Sequence, residues 1–130
     1  MVDVYIMDSY AWVEYFLGSS KSKILRKLFL NSKNSFITID CCLAEINGWS
    51  LKNKKDFNRL FKIIIANSNI LSLTEKDWIN AGEERFKQRR LQKDFGLINS
   101  VILVKQKELN CKIISGDKHF KNINGVIFLE

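Results

Sequence analysis

The sequence contains no proline and one histidine, and its three cysteines are an odd number with no Cys-x-x-Cys spacing. A disulfide framework is therefore not expected in a chain long enough to build a core, and a reduced, cytoplasmic setting is the simpler expectation. The adjacent Cys41 and Cys42, with Cys111 and His119, do not make a tetrahedral zinc set, so zinc is not expected either. Long apolar runs are also missing: none approaches the ~18–20 residues that a bilayer span requires. The opening MVDVYIM lacks a positively charged n-region, which predicts no signal peptide and no membrane association. Repeats, low-complexity stretches and linkers are absent, and the lack of proline removes one kind of boundary signal. The expectation is one domain over residues 1–130.

What the chain does have is apolar mass and positive charge. Hydrophobic residues make up 46% of the 130 residues and aromatics 12%, which excludes general disorder. Lys and Arg number 21 against 14 Asp and Glu, a formal net charge of +7 that favours polyanionic partners without specifying a fold. The charge is uneven. Residues 21–62 carry ten basic and three acidic residues, a balance of +7 that equals the whole chain's excess. A second basic patch gathers Arg85, Lys87, Arg89, Arg90 and Lys93.

Read along the chain, residues 1–7 predict a strand that ends at Asp8. Tyr10, Val13, Phe16 and Leu17 then fall at helical spacing up to Gly18. Residues 21–31 place Ile24, Leu25, Leu28 and Phe29 on one stripe of an amphipathic helix. SFITI predicts a strand, and Asp40 is placed to cap the helix that starts CCLAEINGW. Phe57, Leu60, Phe61, Ile64 and Ile65 predict a further helix within 54–67, followed by a strand at Ile70–Leu73. Thr74 with Asp77 three residues on reads as a capping box leading into a helix through Trp78, Ala81 and Phe86. FGLINSVILV, from Phe95 on, predicts a helix buried on several sides, and CKIIS and VIFL close the chain as strands. Short strands that are apolar throughout and alternate with helices predict an α/β fold with a parallel sheet covered on both faces.

In such a fold ligands bind at the carboxyl ends of the strands, where strand order reverses. Asp8 ends the first strand, Glu45 lies on the helix after the second, and Asp117 follows the strand CKIIS. Taken singly, Asp8 reads equally as a helix cap, while Glu45 reads more often as a solvated helix residue and Asp117 more often as a turn residue. Together on one rim they would repel each other unless a cation neutralised them, and hard oxygen ligands suit Mg²⁺ or Mn²⁺. A basic surface around such a pocket suits a phosphodiesterase acting on RNA or DNA. A phosphoacceptor domain is not supported, since Thr74-Glu75 follows Leu71–Leu73 where an acceptor Asp would be needed, and Gly116-Asp117 follows CKIIS where a Lys would be needed.

The segments YIMDSYAWVEYF, CCLAEI, FGLINSVILVKQKELNCKIISGDKHF and NGVIFLE, in that order over essentially the whole chain, resemble the PIN domain of VapC-type toxins from prokaryotic toxin–antitoxin pairs. The resemblance implies a three-layer α/β/α fold with a five-stranded parallel sheet. It also implies a divalent-metal-dependent endoribonuclease site of four acidic residues using Mg²⁺ or Mn²⁺. Asp8, Glu45 and Asp117 match three of the four; the fourth position is Asn99, which keeps a ligating oxygen and removes one charge. Asp94, about 140° from Asn99 around a helix, is expected to cap the helix and not to replace the missing acid. Ser9 and Ser115 match small hydroxyl positions that support the carboxylates or serve in capping and turns. Arg85, Arg89 and Arg90 are expected to contact RNA phosphates, Trp12 to be core, and His119 to be structural. The resemblance further implies a cognate antitoxin and a homodimer. The competing expectation is a catalytically silent PIN-fold module that acts by binding RNA or antitoxin.

Overall fold

The computed structural model describes residues 3–130. Strand β1 (Asp3–Met7) leads into helix α1 (Ser9–Leu17), which stops at Gly18, whose φ of 63° is the left-handed conformation that a terminating glycine supplies. The predicted first strand is present from Asp3 on, and residues 1 and 2 lie outside the described residues. A short 3-10 turn (Ser20–Ser22) precedes α2 (Lys23–Leu30), and then come β2 (Asn34–Ile39) and α3 (Asp40–Lys52). Next are α4 (Phe57–Asn67), β3 (Asn69–Leu71), α5 (Glu75–Gln88), α6 (Leu97–Leu109), β4 (Lys112–Ser115) and β5 (Val126–Phe128). The Thr74–Asp77 capping box forms in full: Thr74 Oγ1 accepts from the Asp77 amide, and the Asp77 carboxylate accepts from the Thr74 amide.

The five strands are all parallel, in the order β3-β2-β1-β4-β5. The chain winds outward from β1 through β2 to β3, crosses back, and continues on the other side with β4 and β5, so strand order reverses between β1 and β4. Ile6 pairs with Ile37 of β2 and with Ile113 of β4, which makes β1 the centre of the sheet. Alternation along β1 divides the core. Tyr5 and Met7 face a cluster with Trp12, Leu25, Phe36 and Ile64, while Ile6 faces Ala81, Phe95, Ile102 and Phe120 on the opposite side. Helices cover both faces, as an all-parallel sheet requires. Trp12 is fully buried, and its indole N–H donates to Thr38 Oγ1 at 3.0 Å. Among the described residues no helix is long and apolar enough to cross a membrane.

Two local expectations are corrected. Asp40 is not the cap of α3: Ile39 holds that position, and Asp40 lies in the first turn with Oδ2 accepting from the Leu73 amide at 3.4 Å. Its carboxylate satisfies a donor in the β3–α5 connection, where the chain approaches it, and leaves its own helix's amides alone. Asp94 does not cap α6 either. Gly96 is the N-cap, and Asp94 Oδ2 lies 3.1 Å from His119 Nε2, because the 89–96 loop turns toward β4 before α6 begins.

Candidate functional site

Asp8 follows β1 directly, anchored by its backbone N–H to the Ile114 carbonyl at 3.1 Å, and the residue is only 3% exposed. It occupies the N-cap position of α1 but makes no capping hydrogen bond. Its carboxylate is aimed instead at two serines: Ser115 Oγ donates to Oδ2 at 2.5 Å, and Ser9 Oγ lies 3.2 Å from Oδ1. The same Ser9 hydroxyl is 2.9 Å from Glu45 Oε1 on the exposed rim of α3. With one proton, Ser9 can serve only one of the two carboxylates at a time. Ser115 Oγ also accepts from the Asp117 amide at 3.0 Å. Two hydroxyls thus tie together the ends of β1 and β4 and the helix after β2, at the point where strand order reverses.

On the β4 side, Asn99 Nδ2 donates to Asp117 Oδ2 at 3.2 Å. The other oxygen of Asp117 accepts from the His119 amide at 2.9 Å and lies 2.7 Å from His119 Nδ1. His119 Nε2 is buried and touches Asp94 without the alignment of a hydrogen bond. Its ring packs edge-on against Phe95, and Gln92 Nε2 donates to its carbonyl at 2.8 Å, so this histidine pins the 89–96 loop to the rim of the site. Between Ser115 and Asp117, a Cβ on Gly116 would lie 2.5 Å from the Tyr10 ring, so any larger residue there would displace that partly exposed side chain.

Burial pushes the Asp8 carboxyl up to about 6; the Ser115 bond opposes this, the nearby Glu45 and Asp117 add to it, and Ser9 opposes it weakly. Glu45 is also raised, first by desolvation and then by Asp117, against the Ser9 bond. Desolvation pulls Asp117 the same way, but the amide and ring of His119 and the Asn99 amide together hold it below the usual carboxylate range. His119 is raised in turn, first by Asp117 and then by Asp94. Among the described residues, no lysine or arginine forms an ion pair with Asp8, Glu45 or Asp117.

The residues singled out in the sequence fall into two groups in space. Asp8, Ser9 and Glu45 form one, Asn99 and Asp117 the other, and Ser115 connects them. Cys42, which the cysteine spacing set aside as a zinc ligand, joins the first: ligand atoms of Asp8, Cys42 and Glu45 lie within 4.8 Å of one another, with Cys42 fully buried. The signal was present in the spacing, since positions 42 and 45 share one face of a helix. The arginines divide differently. Arg89 Nε donates to the Phe95 carbonyl at 2.9 Å, and the Arg90 guanidinium lies 5.1 Å from the centre of the Phe86 ring.

No family model matches the sequence, and no curated protein does. Solved structures do. The sarcin–ricin-loop-cleaving VapC toxin of Mycobacterium tuberculosis superposes with a TM-score of 0.76 at 12% identity, covering 94% of this chain and 96% of the toxin. A VapBC complex of Rickettsia felis bound to promoter DNA gives 0.72 at 20% identity, with 96% of each chain covered. A toxin–antitoxin complex of Klebsiella pneumoniae gives 0.68 at 16%, covering 97% of this chain and 98% of the other. With a central β1, five parallel strands and coverage of nearly the whole of both chains, the fold of this protein is the PIN fold of the VapC toxins.

Proposed function

We propose that the chain is a VapC-like endoribonuclease that hydrolyses RNA phosphodiester bonds with the help of Mg²⁺ or Mn²⁺. The observation that carries this reading is a buried carboxylate at the switch point, Asp8, placed beside Glu45 and near Asp117 with hydroxyl and amide neighbours but, among the described residues, no lysine or arginine paired with it. Desolvating a carboxylate without a counter-charge is costly, and a divalent cation relieves that cost. The donor set, hard oxygens presented by serine-oriented side chains, fits such an ion. Asp8, Glu45 and Asp117 would hold it, with the Asn99 carbonyl as a neutral fourth ligand.

A bound divalent ion supplies Lewis acidity toward a phosphate and lowers the pKa of water. The chain's own groups supply the rest. Ser9 and Ser115 fix the Asp8 carboxylate, Ser115 through Asp117 N–H also fixes the turn after β4, and His119 sets the orientation of Asp117. Arg85, Arg89 and Arg90, which line one surface groove with Gly82 and Phe86 at the end of α5, are proposed to contact RNA phosphates, which carry no sequence code. By likeness to the toxins above, two of which were solved in toxin–antitoxin complexes, an antitoxin protein is the proposed partner.

A silent binding module is the second reading, and one contact favours it: the Asn99 amide occupies an Asp117 oxygen that an acid at position 99 would leave open to a cation. Calorimetric titration with Mn²⁺, together with cleavage of a structured RNA, separates the two. The nuclease reading expects Mn²⁺ binding and cleavage by the wild type and loss of both in Asp8→Asn. Absence of Mn²⁺ binding in wild type and Asn99→Asp alike would sink it.

A further inference from the structure

The rim presents sulfur as well as oxygen. Helix α3 carries Cys42 and Glu45 three residues apart on one face, and ligand atoms of both lie within 4.8 Å of each other and of an Asp8 oxygen. Asp117 stands outside that group, because one of its oxygens accepts from Asn99 and the other meets the amide and ring of His119. Among the described residues, the ligating side chains gathered most tightly are therefore two carboxylates and a thiol. The other cysteines take no part: Cys41 is not in the group, and Cys111 precedes β4, at the opposite end of that strand from Asp117. Cys42 packs in the core cluster of Ile6 and Ile39, as a buried cysteine ordinarily does. Packing alone, however, does not ask for two carboxylates within reach of its sulfur.

One sulfur among the ligands changes which ion the site prefers. Mg²⁺ demands oxygen ligands in near-octahedral order and keeps several waters, whereas a thiolate selects Zn²⁺ and the later first-row ions over Mg²⁺ and Mn²⁺. Three protein ligands are also the count of an open zinc site, which keeps its fourth position for water or substrate. Charge points the same way. Asn99 brings none to the rim, which leaves the three carboxylates of Asp8, Glu45 and Asp117. A thiol that coordinates a cation gives up its proton outright, so Cys42 adds a fourth negative charge in direct contact with the ion as the S–H proton passes to solvent. We infer that Asp8, Cys42 and Glu45 together hold a thiophilic divalent ion of the Zn²⁺ class in preference to Mg²⁺ or Mn²⁺, with Cys42 as the ligand that sets this preference. The inference rests on the proposed reading that the rim binds a divalent cation, and adds a selectivity that the oxygens alone would not give.

Titration of the full, reduced chain with Co²⁺ tests it, because cobalt bound to sulfur absorbs in the near ultraviolet by sulfur-to-metal charge transfer and cobalt bound to oxygen does not. Wild type should develop this band, and excess Zn²⁺ should abolish it by displacement. The double variant Cys41→Ser/Cys111→Ser should keep the band, which assigns it to Cys42 whether or not a variant at position 42 folds. Cys42→Ser, with its fold checked by circular dichroism, should lose the band. Competition calorimetry should show its Zn²⁺ affinity down by about tenfold or more and its Mn²⁺ affinity within about threefold of wild type. Co²⁺ binding without a sulfur band overturns the inference, as does a band that disappears in Cys41→Ser/Cys111→Ser or a ratio of Zn²⁺ to Mn²⁺ affinity unchanged in Cys42→Ser. Each of those results leaves a cation on the rim and the nuclease reading standing. A chain that binds none of Mn²⁺, Co²⁺ and Zn²⁺ overturns both.

Discussion

Replacing Asp8 by asparagine should make the metal-free protein more stable at neutral pH. In the folded chain the Asp8 carboxyl sits at about 6 against an ordinary 3.8, with burial as the main cause. A raised carboxyl binds its proton more tightly in the folded state than in the unfolded one. Below pH ~3.8 both states are protonated and Asp8 imposes no penalty. As pH rises toward 6 the unfolded chain ionises first and stability falls, and above 6 the full penalty applies. At about 1.4 kcal/mol per pK unit, the difference amounts to about 3 kcal/mol. An amide fits the site without orphaning a group. The oxygen of Asp8→Asn takes the Ser115 proton, and its NH₂ donates to Ser9 Oγ, whose own proton goes to Glu45.

The assay is urea unfolding of wild type and Asp8→Asn in chelator, at pH 4 and pH 7.5, with m-values compared to confirm equal exposure on unfolding. The variant should be about 3 kcal/mol more stable at pH 7.5, on the order of 10 °C in Tm, with the gap closing toward pH 4. Saturating Mn²⁺ should then stabilise the wild type by about 2.7 kcal/mol at a hundredfold excess over Kd and leave the variant unmoved. A gap that does not change with pH, or a variant less stable at pH 7.5, refutes the reasoning: Ser9 and Ser115 would then solvate the ionised Asp8 better than water does.

Asn99→Asp exchanges a hydrogen bond to Asp117 for two carboxylates in contact, so the metal-free protein should lose about 1–3 kcal/mol at pH 7.5 while Mn²⁺ affinity by calorimetry rises roughly tenfold. Ser115→Ala removes both the proton donated to Asp8 and the acceptor for the Asp117 amide in a fully buried position. It should cost about 1–3 kcal/mol in urea unfolding, and more at pH 7.5 than at pH 4, because the bond lost at high pH is to an ionised acceptor. Trp12→Phe deletes the indole N–H bond to Thr38, whose hydroxyl keeps Ser68 as a partner. A loss of about 1–2 kcal/mol is expected, with no change in Mn²⁺ binding.

The layers of this fold are legible in the sequence because hydrophobic period and local capping are properties of short segments. The Gly18 stop and the Thr74–Asp77 box need no tertiary information and appear where the pattern puts them, and the short apolar-rich strands do too, except that β3 begins at Asn69 and ends at Leu71, two residues before the expected Leu73. Even the rim of the site follows, since a parallel α/β winding puts residues just after strands on one edge, and Asp8 and Asp117 are such residues. What a sequence pattern does not carry is where an acidic side chain finds its donor. Asp40 and Asp94 both look like caps, yet one bonds the Leu73 amide and the other meets His119, because segments distant in sequence present better-placed partners there. Cys42 has no cysteine partner at Cys-x-x-Cys spacing in the sequence, and its role is hidden for the converse reason. Attention to cysteine spacing looks for a second cysteine, whereas the thiol's neighbours are the two carboxylates.

The net charge of +7 is thus a poor guide to the site, whose local sign is negative. The two groups of carboxylates are also held by different means. Asp8 and Glu45 are oriented by serine hydroxyls, which align a carboxylate without cancelling its charge, and both are shifted toward the protonated form. Asp117 is stabilised as an anion by an amide, an imidazole and the Asn99 side chain, and is shifted the other way. Asparagine at position 99 therefore does two opposed things at once. It relieves repulsion beside Asp117 and favours the metal-free fold, and it removes a charge that would draw a cation between Asp117 and Asp8. On the proposed reading, the position that sets how stable the metal-free site is would also set how strongly that site takes up an ion.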